Sequence, residues 1–388
     1  MMKELSLNGF LASGICAGIG NKDKLDLALI YSEQEASVAA VFTKNMVKAA
    51  PVIVSQAHLG VNGGKARAIV ANSGNANACT GNRGMEDAVK IAQFVANELG
   101  IEREEILIAS TGVIGKRLDM DVIARSIPKL VKGLSADGLG KVAEAIMTTD
   151  TFPKISQFQG DGYKIIGVAK GAGMIMPDMA TMLSFILTDA YIEPEPLKNI
   201  LLKAVDETFN RITVDGDTST NDTVIVMANG IAGERDVNGF SEGLTMVCKD
   251  LARMIVKDGE GASKLVDIVV KGAKSPLDAL KAARTVANSN LVKTAIYGED
   301  PNWGRIMAAL GRSGIDMETE YVDVWIDDVQ IVSSGQAVGD DVEIIASRRM
   351  KKDEFSIIID LKKGPYRDHM FTCDLTHGYI TINAEYRT

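Results

Sequence analysis

Apolar runs of period two alternate along this chain with stretches of period near 3.6, so strands and amphipathic helices are both expected. Residues 24–30 alternate apolar and polar side chains and predict a strand. Residues 86–99 put Val89, Ala92, Val95 or Ala96, and Leu99 on one face, which predicts a helix with Gly100 as C-cap. The run 106–109 predicts a buried strand that delivers Ser110, Thr111 and Gly112 at its end. Asp119 or Asp121 can cap the next helix, which reaches about residue 131. Residues 155–158 and 163–169 flank Gly160-Asp161-Gly162, a hairpin signal, and the second strand runs into Lys170. Residues 182–187 are continuously apolar, so Thr181 is expected to begin an interior strand.

Beyond Pro194 and Pro196 a helix is expected to residue 209, then a polar loop over 215–222 and a strand over 223–228. An amphipathic segment follows at 244–256, a strand at 264–271, and helices from 277 past 287 and over 303–310. Strands are expected near 322–326, 355–361 and 379–383, with no internal repeat or Pro/Ser-rich linker. This mixture predicts an α/β fold of the α+β type, mixed sheets layered with helices rather than a series of βαβ units. At 388 residues the chain exceeds a usual single core, so two or three lobes are expected.

Hydrophobic residues make up 46% of the chain and mean hydropathy is +0.07, which fits a packed globule and not disorder. A net charge of −9, spread along the chain, repels phosphate backbones and anionic lipid, so neither nucleic acid nor membrane is expected as a partner. No stretch approaches the roughly 18 apolar residues of a membrane span. The segment 11–18 has a faint signal-peptide character, but Glu4, Asn8 and glycines interrupt it; a cytoplasmic protein is expected.

Candidate chemistry is sparse. Cys16, Cys79, Cys248 and Cys373 lie far apart without a C-x-x-C pair, so neither disulfides nor a cysteine metal site is expected. Cys79 reads as a small buried residue, with a reactive thiol as the alternative. Of the three histidines, His377 precedes Gly378 in what reads as a surface turn between strands. Gly14-x-x-x-Gly18-x-Gly20 and Gly171-x-Gly173 lack the spacing of a phosphate loop and read as tight turns. The 215–222 loop holds three carboxylates without calcium-loop spacing, and reads as hydrogen-bonded structure rather than a cation site. No metal and no cofactor are expected.

Thr181 stands apart. If the chain cuts itself between Ala180 and Thr181, one residue gains a hydroxyl nucleophile and an α-amine of pKa roughly 7.7–8.0, a base for its own hydroxyl. An ordinary strand or loop threonine is the plain alternative. The stretch 170–190 around it resembles the ornithine acetyltransferase family, the self-processing glutamate N-acetyltransferases of the cyclic arginine pathway. Blocks at 71–81, 110–115, 147–151, 258–262 and 298–305 follow in that family's order over essentially the whole chain. Ser263, where threonine is frequent, and Met176 and Asp178, at variable positions, touch no mapped residue.

The resemblance implies a self-processed architecture of the N-terminal-nucleophile kind, with 1–180 as an α chain and 181–388 as a β chain carrying a C-terminal α/β lobe. It implies Thr181 as nucleophile, with Thr111 and Gly112 stabilising the oxyanion. Substrate contacts map to Thr148, Lys170, Thr181, Glu260, Asn383 and Thr388. Their chemistry suits an N-acetylated amino acid: Lys170 and Thr148 for its α-carboxylate, Glu260 for the ornithine side-chain ammonium. The implied reaction moves acetyl from N-acetylornithine to glutamate through acetyl-Thr181, with acetyl-CoA as an additional donor left open. The α and β chains are expected to associate into a heterotetramer or larger. The rivals are an N-terminal-nucleophile amidase or aminopeptidase, in which water takes the acyl group, and a self-cleaving binding protein without turnover.

Overall fold

A computed structural model describes residues 5–20, 23–176 and 182–385. They form two compact units, one built from 1–210 and 217–255, the other from 211–216 and 256–386. In the first, β1 (Phe10–Ile15), β2 (Leu27–Phe42), β3 (Lys65–Asn72), β4 (Ile106–Ser110), β5 (Lys154–Gln159), β6 (Lys164–Lys170), β7 (Leu183–Tyr191) and β8 (Thr223–Glu234) make one sheet. Its order is β4-β3-β2-β8-β7-β6-β5, with β1 paired to β2. The pairs β3–β4 and β7–β8 run parallel and the others antiparallel, so the sheet is mixed as expected.

Period-two alternation decides what each face buries. Leu27, Leu29, Val70, Ile106 and Ile108 pack in one core with side chains of the helices Ala50–Val61, Gly81–Leu99 and Met120–Lys132. Their neighbours Ala28, Ile30, Ile69 and Leu107 join Phe185, Leu187, Ile225, Met227 and the helix Leu139–Ala145 in a second core. Each fully buried Leu, Ile or Phe contributes about 1.5–3 kcal/mol. Gly100 caps its helix in the left-handed conformation, and Asp119, not Asp121, accepts the Val122 N–H at the start of the next.

β2 begins at Leu27 rather than residue 24, because Asp26 is drawn out of the alternation. Its buried carboxylate accepts the N–H groups of Ala17 (2.6 Å), Ile19 (2.6 Å) and Gly20 (3.1 Å). The Gly14–Gly20 turn is thus closed around an anion the chain supplies itself.

The second unit pairs β9 (Leu265–Ala273), β10 (Asp323–Ile326), β11 (Val329–Ser333), β12 (Gln336–Ala337), β13 (Glu354–Asp360) and β14 (Tyr366–Cys373) in the order β12-β11-β10-β13-β9-β14. The helices Pro276–Ala287, Asn290–Tyr297, Trp303–Gly311 and Asp340–Met350 give Val286, Val292, Leu310 and Ala346 to its core.

One expectation fails here. Residues 379–383 are not a strand but part of the helix His377–Glu385, so His377 opens a helix instead of a turn between strands; it is exposed, as expected. The alternation of Tyr379, Ile380, Thr381 and Ile382 suits a strand, but this segment buries neither face. Local bonds replace a ladder: Thr381 Oγ1 donates to the His377 carbonyl (3.1 Å) and Asn383 Nδ2 to the Tyr379 carbonyl (3.0 Å).

Lys154, the first residue of β5, is wholly buried with its ammonium 2.7 Å from Asp150, itself buried. Burial opposes ionisation of Asp150, but Lys170 and Lys154 outweigh it and hold the carboxyl down at about 2. That stabilisation is complete above the ordinary carboxylate range and is lost as pH falls through about 2; it amounts to about 2 kcal/mol. Asp150→Asn strands a buried ammonium and should cost roughly 3–5 kcal/mol in urea unfolding at pH 7. Adding Lys154→Met should recover part of that loss; a single variant as stable as wild type contradicts the pairing.

Candidate active site

β3 and β4 lie side by side and parallel, so their carboxyl ends deliver the loops 73–80 and 111–115 to one place. Ser110 Oγ donates to Asn72 Oδ1 (2.6 Å), the Thr111 N–H to the Asn72 carbonyl (2.9 Å), and Asn72 Nδ2 to the Asn75 carbonyl (2.9 Å). Gly112 has φ +125°, and a Cβ there would fall 2.4 Å from the Gly74 carbonyl carbon and 2.5 Å from Asn75 N. Gly74, at φ +86°, is pressed in turn against Gly20, 2.6 Å from where its own Cβ would be. Three backbones are stacked where side chains would normally stand. The strand-end turn expected for Thr111-Gly112 is there, and the Gly112 N–H makes no hydrogen bond among the described residues.

Lys170, the last residue of β6, is buried rather than a surface charge. Its Nζ donates to Thr148 Oγ1 at 2.8 Å and Thr111 Oγ1 at 3.3 Å. Because the lysine donates to both hydroxyl oxygens, each hydroxyl keeps its own proton to offer. Asp150 holds the surrounding backbone, accepting from the Thr148 N–H (3.0 Å) and the Gly171 N–H (2.7 Å). Neither Asp150 nor Lys154 was singled out by sequence reasoning; Asp150 lies in the 147–151 block, and that was its one signal.

β7 lies between β6 and β8, with Lys170 opposite Leu183 and Leu183 opposite Thr223. The strand expected after Thr181 is therefore interior. Ala180 and Thr181 themselves, like Thr388, lie outside the described residues. The loop before β8 is hydrogen-bonded, as expected: Thr218 Oγ1 donates to the Met176 carbonyl (2.9 Å), and Asn221 Nδ2 to the carbonyls of Ala76 (2.6 Å) and Ser110 (2.8 Å). Among the described residues no acidic, histidine or cysteine group is arranged to hold a metal ion.

In the second unit, Glu260 is buried in the turn after the helix Val237–Lys257. Asn383 Nδ2 donates to its Oε2 at 2.8 Å. Gly261, at φ +70°, makes this approach feasible, since a Cβ would lie 2.3 Å from Tyr379 N. Thr376 Oγ1 ties the same turn to the helix start through the Gly261 carbonyl (2.6 Å). The structure thus brings together Thr111, Thr148 and Lys170 in one unit, and Glu260 with Asn383 in the other.

Cys79 corrects an expectation: it is exposed, not buried. It sits at φ 57°, and Ala76, Asn77 and Ala78 fill the buried positions of its loop.

The ArgJ family model matches residues 11–388 of this chain. The arginine biosynthesis bifunctional protein ArgJ of Geobacter sulfurreducens is 50% identical, over 99% of this chain and 100% of its own length. The glutamate N-acetyltransferase of Methanocaldococcus jannaschii is also 50% identical, over 98% of this chain and 97% of its own. A solved structure of the arginine biosynthesis bifunctional protein from Bacillus halodurans superposes with TM-score 0.51 at 42% identity. That structure's chain is matched over 100% of its length yet covers 53% of this one. With its mixed sheets, its strand-end threonine–glycine turn and near-complete matches on both sides, this chain belongs to the ArgJ family.

Proposed function

We propose that the chain cuts itself between Ala180 and Thr181. It then moves the acetyl group of N-acetylornithine to glutamate, giving ornithine and N-acetylglutamate in arginine biosynthesis. The observation that carries this reading is the contact of Lys170 with both Thr148 and Thr111 at the end of the strand paired to β7. A buried ammonium flanked by two hydroxyls matches a substrate α-carboxylate in charge and in hydrogen bonding. The Bacillus halodurans chain length also supports the cut, because residues 181–388 are 208 of 388, about the share it matches.

In turnover the Thr181 α-amine takes the proton of its own hydroxyl, and Oγ attacks the acetyl carbon of N-acetylornithine. The Gly112 N–H and the Thr111 hydroxyl receive the oxyanion. The C–N bond then breaks, the α-ammonium returns its proton to the leaving ornithine nitrogen, and acetyl-Thr181 remains. Glutamate's amine reverses these steps and leaves as N-acetylglutamate. Glu260, steered by Asn383, is assigned to the ornithine side-chain ammonium, and Thr388 to a substrate contact.

Family membership favours an amino-acid acceptor over water, hence transfer over amide hydrolysis, and turnover over binding alone. Relatives of equal identity are named with and without "bifunctional". Glutamate supplied with acetyl-CoA in place of N-acetylornithine therefore tests the second donor. We also propose that the α and β chains stay together, assemble into a heterotetramer or larger, and work in the cytoplasm without a metal or bound cofactor. Among the described residues no helix is long and apolar enough to cross a membrane.

Denaturing mass spectrometry should show two fragments, one ending at Ala180 and one beginning at Thr181. They should co-elute under native conditions, since β6 and β7 pair across the cut. Thr181→Ala should remain one inactive chain; an uncut, active wild type would end the proposal. Thr111→Ala should lower kcat about 10²–10³-fold once the chain is cut. Lys170→Met should act mainly through a higher KM for N-acetylornithine, and an unchanged KM rules out its carboxylate role.

A further inference from the structure

The α-amine that serves as base in turnover does not exist until the chain has been cut. Before that, the nitrogen of Thr181 is an amide and accepts no proton, so the first cut needs a proton carrier from elsewhere. Histidine does not supply one in the first unit, where His58 is buried with Nδ1 2.7 Å from the Ile106 carbonyl.

Asp222 ends the polar loop and enters β8. It is buried, and the parallel register that sets Leu183 opposite Thr223 places it beside Met182. Met182 is held from both sides: its carbonyl accepts the Thr223 N–H at 2.9 Å, and its own N–H donates to the Asp222 carboxyl. Ser219 donates to the same carboxyl through its hydroxyl and its N–H. The second oxygen, Oδ2, is buried with no hydrogen-bond partner among the described residues. An orphaned buried oxygen costs about 1–3 kcal/mol, so something other than packing keeps it there. Met182 N is bonded directly to the carbonyl carbon of Thr181. A carboxyl at hydrogen-bond distance from that nitrogen therefore lies within roughly 3–6 Å of the Thr181 nitrogen and hydroxyl by covalent geometry alone.

We propose that Asp222 is the proton carrier of the self-cutting step, acting on Thr181 through its unpartnered oxygen. The inference rests on the reading that this chain cuts before Thr181. The neutral acid offers its Oδ2 proton to the Thr181 nitrogen while the carboxylate so formed takes the proton of Thr181 Oγ. The Ala180 carbonyl carbon gains a bond to Oγ and loses its bond to nitrogen, giving an ester and a free amine. Asp222 ends neutral as it began, and water then releases the ester. The environment suits a neutral carboxyl. Burial pushes it well above the ordinary carboxylate range, while the Ser219 hydroxyl and the Lys170 ammonium pull the other way without prevailing.

The test is Asp222→Asn, which keeps the shape and removes the acid. The cut fraction is followed in time by denaturing mass spectrometry, with thermal unfolding and native size measured alongside. General acid–base groups contribute about 10²–10⁴-fold, so the folded variant should cut about 100-fold more slowly than wild type. Slowing by tenfold or more supports the proposal, and anything less in a folded variant overturns it. If the variant does not fold, the cutting rate of freshly synthesised wild-type chain is measured against pH. A rate that is level and then falls as pH rises through the Asp222 pKa supports the acid, whereas one that climbs steadily with pH overturns it. A wild-type chain that never cuts defeats instead the proposed function on which this step stands.

Discussion

A single buried anion organises the centre of the first unit. Asp150 draws on the ammonium groups of Lys154 and Lys170 and on the N–H groups of Thr148 and Gly171, which belong to a turn, the start of β5 and the end of β6. Two lysines near one carboxylate are tolerable in the interior only because the anion offsets their charge, and each lysine then has a defined direction. Lys154 is consumed by the pairing, whereas Lys170 keeps its ammonium on the hydroxyls of Thr148 and Thr111. The placing of a positive charge at the strand end is thus a consequence of packing several residues away.

The sheet supplies the other half of the arrangement. β7 and β8 come after the expected cut in sequence, yet they lie between β2 and β6, which come before it. Hydrogen-bond ladders on both sides fix the strand entered at residue 183, so a terminus made just ahead of it is anchored by backbone pairing and not by its own side chains. Strand order therefore couples processing to integrity: the parts separate only if the sheet itself is lost.

Much of this was legible in the sequence, for local reasons. The run 106–109 ending in Ser110-Thr111-Gly112, the hairpin around Gly160-Asp161-Gly162 and the apolar run after Met182 each carry their own period and punctuation. What escaped depends on distant partners. Asp150 and Lys154 are four residues apart, but their burial comes from the strands around them. Asp222 looked like one acid of a polar loop until β7 was laid beside it. Residues 379–383 misled because strand-forming side chains occupy a helix that buries no face. Cys79 misled because three neighbours took the interior first.

The stacked glycines at positions 20, 74 and 112 carry a consequence for how this protein can change. Each sits where a methyl group would collide with another's main chain, so no one of them can drift while the others stay. Variation that reshapes the acyl pocket must enter through its other walls. The donor at Gly112 is inherited as a block with two glycines far from it in sequence, and a redesign that overlooks either of them will tilt that donor without ever touching it.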